Sequence, residues 1–329
     1  MSLKKIAEMT GVSPSTVSRV LNGTGGNCAG REVRQRIWAA AREIQYVPNA
    51  SARALKQHMG TETPPRHVSV VLGRFGSIQE DPFFDSLFQQ LQSELLCHNA
   101  ALQEVLPAGE FSSARLKNCD GILLLGRCTS ALLQACREVT PNLVGIWRNP
   151  TNFEIDEVVS DGEKAAMTAM EYLMGLGHKQ IAYIGDCTNE SRYVGYCKVL
   201  MNHNLPLDYS RIEQTNQTRS AGSEAMERLL RRGNCTAVLC ANDASGLGAL
   251  EALKRYQHSK KYPVSVISID NIAESARCAP ALTTINIPGA DMAHMAVQIL
   301  MDRIEGRHSE HIRVELPCRL IVRDSCYLV

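Results

Sequence analysis

Small hydroxyl side chains and one arginine are concentrated in residues 13–19, near the beginning of the chain. Ser13 followed by Pro14 is typical of a helix start, because serine caps free amides and proline fits the first turn. The amides and partial positive charge of such a helix end favour a bound phosphate. Arg19, further along the same helix, could donate two hydrogen bonds to a guanine edge. The residues predicted to contact DNA here are Ser13, Pro14, Ser15, Thr16, Ser18, Arg19 and Asn22.

Two short helices joined by a tight turn are needed to present these side chains. Gly11 permits a sharp turn between them. Apolar residues recur at roughly helical spacing on both sides of the turn and can form a small core: Ile6, Ala7, Val12, Val17 and Leu21. This pattern predicts a helix-turn-helix, which places its second helix in the major groove of DNA. Two ordinary surface helices are the alternative interpretation.

Charge is distributed unevenly along the chain. The protein has 329 residues and a net charge of +1, but residues 1–60 contain nine Lys/Arg and three Asp/Glu. A basic first segment on a mildly acidic remainder suits a nucleic-acid partner at one end. No apolar run approaches transmembrane length and no signal-peptide core is visible, so a cytoplasmic protein is expected. The twelve cysteines lack metal-ligand spacing, and neither metal nor cofactor is predicted.

A third helix is predicted for residues 31–44, where apolar residues share one face. Pro48 ends the helical pattern, since proline disfavours helix in the residue before it. Residues 50–56 are rich in alanine and could form a helix of about two turns, which is marginal alone in water. This segment is expected to become ordered only when it docks on DNA or on a second copy of itself.

From Val12 to Asn22 the sequence closely resembles the recognition-helix signature of the LacI/GalR family of bacterial transcription regulators, and the likeness covers essentially the whole chain. Residues 46–55 are similar to the hinge helix of that family. Hinge helices of a dimer enter the minor groove, where a leucine wedges between base steps. The resemblance implies DNA contacts for Asn49, Ala52 and Leu55, with Leu55 as the wedge; an ordinary core leucine is the alternative.

Apolar runs alternate with helical patterns after residue 66, which is typical of doubly wound α/β domains. The runs suited to buried parallel strands are 67–73, 121–126, 143–147, 180–185, 237–241 and 264–270. The family resemblance implies a periplasmic-binding-protein-like effector domain of two parallel-sheet subdomains. The chain is predicted to contain three domains: an all-α helix-turn-helix domain (1–46), a hinge helix and linker (47–66), and an effector-binding and dimerisation domain (67–329). Within the last, the N-subdomain spans about 67–159 and 286–316, and the C-subdomain spans about 160–285 and 317–329.

Polar residues at the carboxyl ends of the predicted strands are candidates for binding a small molecule, because ligands of such folds bind there. Asp270 closes an apolar strand and could accept hydrogen bonds from sugar hydroxyls. Arg192 follows another strand and offers a forked donor. The family uses matching positions for its effectors, and the candidates are Asp81, Phe83, Trp147, Arg148, Arg192, Asn242 and Asp270. Helix capping or an ion pair between the subdomains is the alternative role for these residues.

Departures from the family pattern bear on the ligand and on DNA contacts. The Gly23–Gly30 loop is longer than the usual connection, which affects any phosphate contact from it. Several relatives carry aromatic residues near Gln217 and Gly289 that could stack on a sugar, and this chain has neither. The segment between the Phe83 helix and the Cys119 strand is short. It resembles that of a regulator of a β-galactosidase operon, which points to a galactoside.

The sequence therefore predicts a DNA-binding repressor whose operator affinity is controlled by an effector, a sugar or glycoside, in the cleft between the subdomains. Effector binding would decide whether the hinge helices pair. The last residues lack a leucine heptad, which predicts a homodimer on palindromic DNA. The alternatives are a corepressor-dependent or dual regulator of the same family, and a solute-binding protein, which would leave residues 1–56 unexplained. An enzyme is not expected, because no nucleophile elbow, phosphate loop or metal-ligand cluster is present.

Overall fold

The computed structural model describes residues 3–22, 30, 33, 36, 37, 40, 64–73, 76–188, 190–256 and 264–329, with the backbone only for residues 3, 4, 18, 19, 21 and 22. The described residues divide into two compact units, one within residues 1–62 and the other within 63–329. Each unit contains its own cluster of buried apolar side chains.

The first unit contains the helix-turn-helix. Helix α1 spans Leu3–Thr10 and helix α2 spans Pro14–Asn22. Gly11 in the turn has a φ of +67°, a conformation that glycine adopts without steric cost. The predicted core residues Ile6, Ala7 and Val17 are buried and Val12 packs against them. The cluster also contains Val20, Ile37 and Ala40.

The first lobe of the second unit is a parallel sheet. Its strands are β1 (Arg66–Leu72), β2 (Ala100–Pro107), β3 (Gly121–Leu125), β4 (Leu143–Trp147), β5 (Asp156–Val159) and β11 (Arg313–Glu315). They lie in the order β11-β5-β4-β3-β1-β2. The helices that cover it are α3 (Pro82–Cys97), α4 (Ser130–Val139) and α9 (Gly289–Ile304). Helices α3 and α9 share one core and α4 belongs to the other, so the central strands are apolar on both faces.

The second lobe repeats this arrangement. Its strands are β6 (Ile181–Gly185), β7 (Ile212–Gln214), β8 (Ala237–Cys240), β9 (Ser265–Asp270), β10 (Thr283–Asn286) and β12 (Arg319–Ile321), in the order β12-β10-β9-β8-β6-β7. Its helices are α5 (Gly162–Gly175), α6 (Ser191–Asn202), α7 (Arg219–Arg232) and α8 (Asp243–Tyr256). Helices α7 and α8 approach closely because Gly222 and Gly248 lack side chains. A Cβ at either position would collide with a backbone carbonyl of the facing helix.

The chain passes between the lobes at residues 160–161, 287–288 and 316–318 within its described part. The carboxyl ends of the parallel strands in both lobes therefore border one cleft. Strand β12 differs from the predicted all-parallel pattern, because it pairs antiparallel with β10. It enters its sheet at the cleft, directly after β11 has left the other sheet there, and so must run in the opposite direction.

Candidate functional site

The N-terminus of α2 presents a cluster of hydroxyl groups. Ser13, Pro14 and Ser15 are exposed and Thr16 is half-buried. The Ser13 Oγ accepts a hydrogen bond of 3.2 Å from the amide of Thr16, which makes Ser13 the predicted cap. The same Oγ lies 2.8 Å from the Ser15 Oγ and 2.9 Å from the Thr16 Oγ1. Hydroxyl and amide donors thus converge at a helix end, an arrangement that can hold a phosphate oxygen.

The remaining DNA-contact predictions lie outside what the structure describes. For Ser18, Arg19 and Asn22 only the helical backbone is described. Asn49, Ala52 and Leu55 lie wholly outside the described residues, as does the Gly23–Gly30 loop apart from Gly30. Their roles stay predictions from the sequence.

Arg148, immediately after β4, reaches across the cleft between the lobes. Its Nη2 donates a 2.6 Å hydrogen bond to Oδ2 of Asp81 in the first lobe. Its Nε lies 3.6 Å from Oδ1 of Asp270 in the second lobe. Asp81 also caps α3, because its Oδ1 accepts from the amides of Phe83 and Phe84. Two of the predicted effector residues, Asp81 and Asp270, therefore meet at the guanidinium group of a third, Arg148.

Two aromatic rings complete the surroundings of Arg148. Its guanidinium carbon lies 4.7 Å from the ring centroid of Phe83 and 4.8 Å from that of Phe84, distances at which a cation is attracted to an aromatic face. The two rings meet edge to face, with centroids 5.3 Å apart. We call Asp81, Phe83, Phe84 and Asp270 the Arg148 cage. Phe84 was not predicted, although it adjoins Phe83 in the first turn of α3.

Arg192 is held by bonds within the second lobe. Its Nε and Nη2 donate to the two carboxylate oxygens of Glu190 at 2.8 and 2.9 Å. Nη1 donates to a backbone carbonyl after β8, and Nη2 also donates to Oε1 of Gln217. Glu190 in turn accepts hydrogen bonds from Arg127 and Asn149 of the first lobe, at 3.4 and 3.2 Å. Arg192 thus belongs to a buried ion pair that reaches the other lobe.

Asn242 and Trp147 also bond to other protein groups. The Asn242 Oδ1 accepts a 3.0 Å hydrogen bond from the amide of Ser245 in the first turn of α8, and its Nδ2 donates to the carbonyl of Gln217. The Trp147 Nε1 donates a 3.0 Å hydrogen bond to Glu157 inside the first lobe. The polar atoms of both side chains are therefore already used within the protein.

Several buried polar atoms near the cleft have no hydrogen-bond partner in the described part of the chain. They are Nε of Arg148, Oδ1 of Asp270, Oδ1 of Asn149 and Nε2 of Gln217. A buried polar atom without a partner costs about 1–3 kcal/mol. Asn149 was missed although it directly follows Arg148 at a strand end. Gln217 was considered only for its lack of an aromatic ring.

The carboxyl groups of the cleft have displaced pKa values. Burial raises the pKa of Asp270 to about 8, and the positive charge of Arg148 offsets only part of this effect. Burial would also raise the pKa of Asp81, but Arg148 and two backbone amides hold that pKa below its ordinary value. Burial acts on Glu190 in the same way, yet Arg192 lowers the pKa of Glu190 strongly. At neutral pH the cage therefore holds an ionised Asp81 and a largely protonated Asp270.

Two cavities lie in the cleft near the Arg148 cage. The smaller has a volume of about 210 Å³, and its lining includes Phe84, Arg148, Asn149, Glu190 and Arg192. The larger has a volume of about 610 Å³, and its lining includes Phe83, Asp270, Asn271, Arg277 and Gly289. Both are bordered by residues of the two lobes, as expected for a ligand cleft at the carboxyl ends of parallel strands.

A helix-turn-helix joined in one chain to a two-lobed α/β module with a polar cleft defines a class of ligand-responsive DNA-binding regulators. The comparisons agree with this class. Residues 2–49 match the family described as bacterial regulatory proteins, lacI family, and residues 170–326 match the periplasmic binding protein-like domain. The HTH-type transcriptional repressor PurR of Histophilus somni (strain 2336) is 29% identical over 344 residues, which cover 98% of each chain.

Solved structures share the fold. A complex of the transcriptional regulator CelR with cellobiose aligns with a TM-score of 0.69 and 24% identity, over 99% of each chain. A LacI family transcriptional regulator from Enterococcus faecium with bound ribose aligns with a TM-score of 0.72 and 21% identity, over 80% of this chain and 100% of that one. These alignments confirm the predicted architecture of a periplasmic-binding-protein-like module.

The chain thus carries a DNA-binding domain of the LacI family of bacterial regulatory proteins followed by a periplasmic binding protein-like domain, and its relatives are named as transcriptional repressors. Its relatives are regulators of transcription, so the protein is not an enzyme. Among the described helices, none combines the length and apolar character needed to cross a membrane.

Proposed function

We propose that this repressor is controlled by a neutral sugar or glycoside bound in the cleft between the lobes. The observation that carries the proposal is the set of buried polar atoms without hydrogen-bond partners among the described residues, on Asn149, Gln217 and Asp270. They include donors and acceptors and come from both lobes. A ligand with several hydroxyl groups can both donate and accept, and could bond atoms of either kind.

The chemistry of the cage supports a sugar in particular. Asp81 and Asp270 can accept hydrogen bonds from hydroxyl groups, and the rings of Phe83 and Phe84 offer apolar faces on which a sugar ring can pack. Ligand sites commonly combine aromatic walls with a few polar groups in this way. The two structural relatives described above hold cellobiose and ribose. The polar atoms of Arg192, Asn242 and Trp147 bond within the protein. We therefore propose that these three predicted residues contribute to the shape of the cleft.

DNA binding is proposed to be sequence-specific and to require a homodimer. Two copies of α2 would then enter successive major grooves of a palindromic operator, about one helical turn apart. Arg19 and Ser15 are proposed to read base edges, while Ser13, Thr16 and Asn22 hold phosphates. Leu55 of each hinge segment, flanked by Asn49 and Ala52, would wedge into the minor groove. We propose that the chain is divided into the helix-turn-helix domain (1–46), the hinge helix and linker (47–66) and the effector-binding domain (67–329). We also propose that the protein is located in the cytoplasm, because its DNA partner is there.

The effector is proposed to be an inducer that changes the closure of the lobes and thereby releases the operator. Such a switch needs an effector with different affinities for the two states. An effector that tightens operator binding, as a corepressor does, is the alternative within the same family.

Thermal unfolding of the full chain with ribose, cellobiose, methyl β-galactoside and a nucleobase tests the class of effector. A ligand at a hundred times its dissociation constant should add about 2.7 kcal/mol to the free energy of unfolding. Stabilisation by a sugar, weakened in Asp270→Ala, supports the proposal. Stabilisation by the nucleobase alone, or a sugar effect that Asp270→Ala leaves unchanged, contradicts it.

The link to DNA is tested on an operator selected from a random palindromic library. A stabilising sugar should lower operator affinity in a fluorescence-anisotropy titration. Asp270→Ala should bind the operator as the wild type does but respond less to the sugar. Loss of operator binding by Asp270→Ala itself would show that Asp270 is structural.

A further inference from the structure

Arg148 occupies the cage much as a bound ligand would. Its side chain is 7% exposed, and its guanidinium group is enclosed by two aromatic rings and two carboxyl groups. Asp81, Phe83 and Phe84 come from the first lobe and Asp270 comes from the second. The side chain therefore holds together, from within, the same groups that a sugar in the cleft would bind.

Arg148 also occupies space in one of the two cavities of the cleft. Arg148 and Phe84 line the cavity of about 210 Å³, whereas Phe83 and Asp270 line the cavity of about 610 Å³. The guanidinium group contacts all three of these partners, so it lines the smaller cavity and touches two residues that line the larger one. Ligand sites typically occupy about 300–1,000 Å³, so the smaller cavity is below this range on its own. Withdrawal of Arg148 would enlarge the smaller cavity, which its side chain lines.

The bonds of Arg148 are few for a buried arginine. Within the described residues it makes one hydrogen bond, to Asp81, and its Nε has no hydrogen-bond partner. Arg192, in the same cleft, uses Nε, Nη1 and Nη2 in side-chain hydrogen bonds to Glu190, Gln217 and a backbone carbonyl. An incompletely bonded guanidinium group is cheaper to remove than a fully bonded one. The Arg148 side chain is thus suited to being displaced by a ligand, whereas Arg192 is suited to a fixed structural role.

We propose that Arg148 is an internal ligand: its guanidinium group occupies the Arg148 cage in place of the effector and closes the lobes, and the effector binds by displacing it. This proposal rests on the proposed function, since it concerns the same cleft. If Arg148 is an internal ligand, the lobes close without any bound effector. The apparent affinity for the effector then depends on the fraction of molecules from which Arg148 has withdrawn.

The first test supplies a free guanidinium compound to a variant that lacks the Arg148 side chain. In Arg148→Ala, n-propylguanidine at millimolar concentration should raise the unfolding temperature saturably, because it restores the missing guanidinium group. Propylammonium should have a weaker effect, and Arg137→Ala, which removes an exposed arginine of α4, should show none. Adding Asp81→Asn to Arg148→Ala should abolish the rescue. Equal stabilisation of Arg137→Ala, or none of Arg148→Ala, overturns the proposal.

Folding of the variant does not limit this test. If Arg148→Ala fails to fold in plain buffer, refolding in the presence of n-propylguanidine should restore a cooperative thermal transition. Arg148→Lys, which keeps a cation in the cage, should fold without the additive. Failure of the additive to restore folding, while Arg148→Lys is folded, counts against a cage that accepts a free guanidinium group.

The second test measures competition with a sugar. The sugar that stabilises the wild type should bind Arg148→Ala more tightly, by a factor equal to the reciprocal of the fraction of wild-type molecules from which Arg148 has withdrawn. Weaker binding would show that Arg148 contacts the sugar rather than competing with it. Rescue by n-propylguanidine with no sugar bound by either protein would contradict the proposed sugar effector and support the internal ligand. The two proposals therefore fail separately.

Discussion

Replacing Asp270 with asparagine should stabilise the protein relative to the wild type as the pH rises. Burial raises the pKa of Asp270 from an ordinary 3.8 to about 8. Between these pH values the folded protein keeps a proton that the unfolded chain has lost. The stability contributed by this carboxyl group is therefore complete below about pH 4 and is lost as the pH rises towards 8. Asparagine resembles the protonated acid in shape and does not titrate, so it removes this dependence.

The expected size of the effect follows from the shift in pKa. One pKa unit corresponds to about 1.4 kcal/mol, so the wild type should lose about 3 kcal/mol through Asp270 between about pH 5 and pH 7.5. Urea unfolding at closely spaced pH values measures the free energy of unfolding of both proteins. Their difference cancels the contribution of Glu157, whose pKa burial also raises.

A matched control separates this effect from a simple change of charge. Glu138→Gln removes one exposed carboxylate from α4 and should differ from the wild type by an amount that does not vary over the same pH range. A constant difference for Asp270→Asn as well would refute the reasoning, because Asp270 would then have the same pKa in the folded and unfolded states. A difference that falls with pH would refute it more strongly, since the folded state would then prefer the ionised group.

Three further substitutions test the other sites. Ser13→Ala should cost the helix-turn-helix about 1 kcal/mol in thermal unfolding followed by circular dichroism, because the cap of α2 is lost; an unchanged melting curve would exclude that role. Glu190→Gln should cost about 3–5 kcal/mol in urea unfolding, because it leaves the buried Arg192 without its counter-charge; a loss below about 1 kcal/mol would mean that the pair is not needed. Arg19→Ala should lose about 1–3 kcal/mol of discrimination at one base pair with the fold intact, whereas equal weakening on all sequences would indicate a phosphate contact.

The main elements of the fold could be predicted because each is encoded locally. A continuous apolar run over residues 121–126 identifies a strand buried on both faces, and β3 spans Gly121–Leu125. The short edge strands carry no such signal. Strand β11 spans Arg313–Glu315, with two charged residues among its three, and it forms because its backbone pairs with β5. That pairing joins segments far apart in the chain, so no local pattern predicts it.

The site was less accessible from the sequence because its bonding is not local. Position at a strand end selected Asp270 and Arg148, and the structure brings these two side chains together. The same rule selected Arg192, yet its state depends on Glu190 and on Gln217, which lies in a loop 25 residues away. No spacing rule shows whether such a partner is present. Candidate residues for a ligand and residues of a buried network therefore look alike until their hydrogen bonds are known.

The charge of the cage restricts which ligands could replace Arg148. With Arg148 in place, its positive charge balances the ionised Asp81, while Asp270 is largely protonated at neutral pH because of its raised pKa. Removing the guanidinium group leaves two buried carboxyl groups and no cation in the cage, so burying an anion there would be strongly disfavoured. A sugar phosphate with its phosphate group in the cage is therefore a poor competitor. A neutral sugar can donate hydroxyl hydrogen bonds to Asp81, and an amino sugar could also supply a positive charge, so both should displace Arg148 more readily than the phosphorylated form.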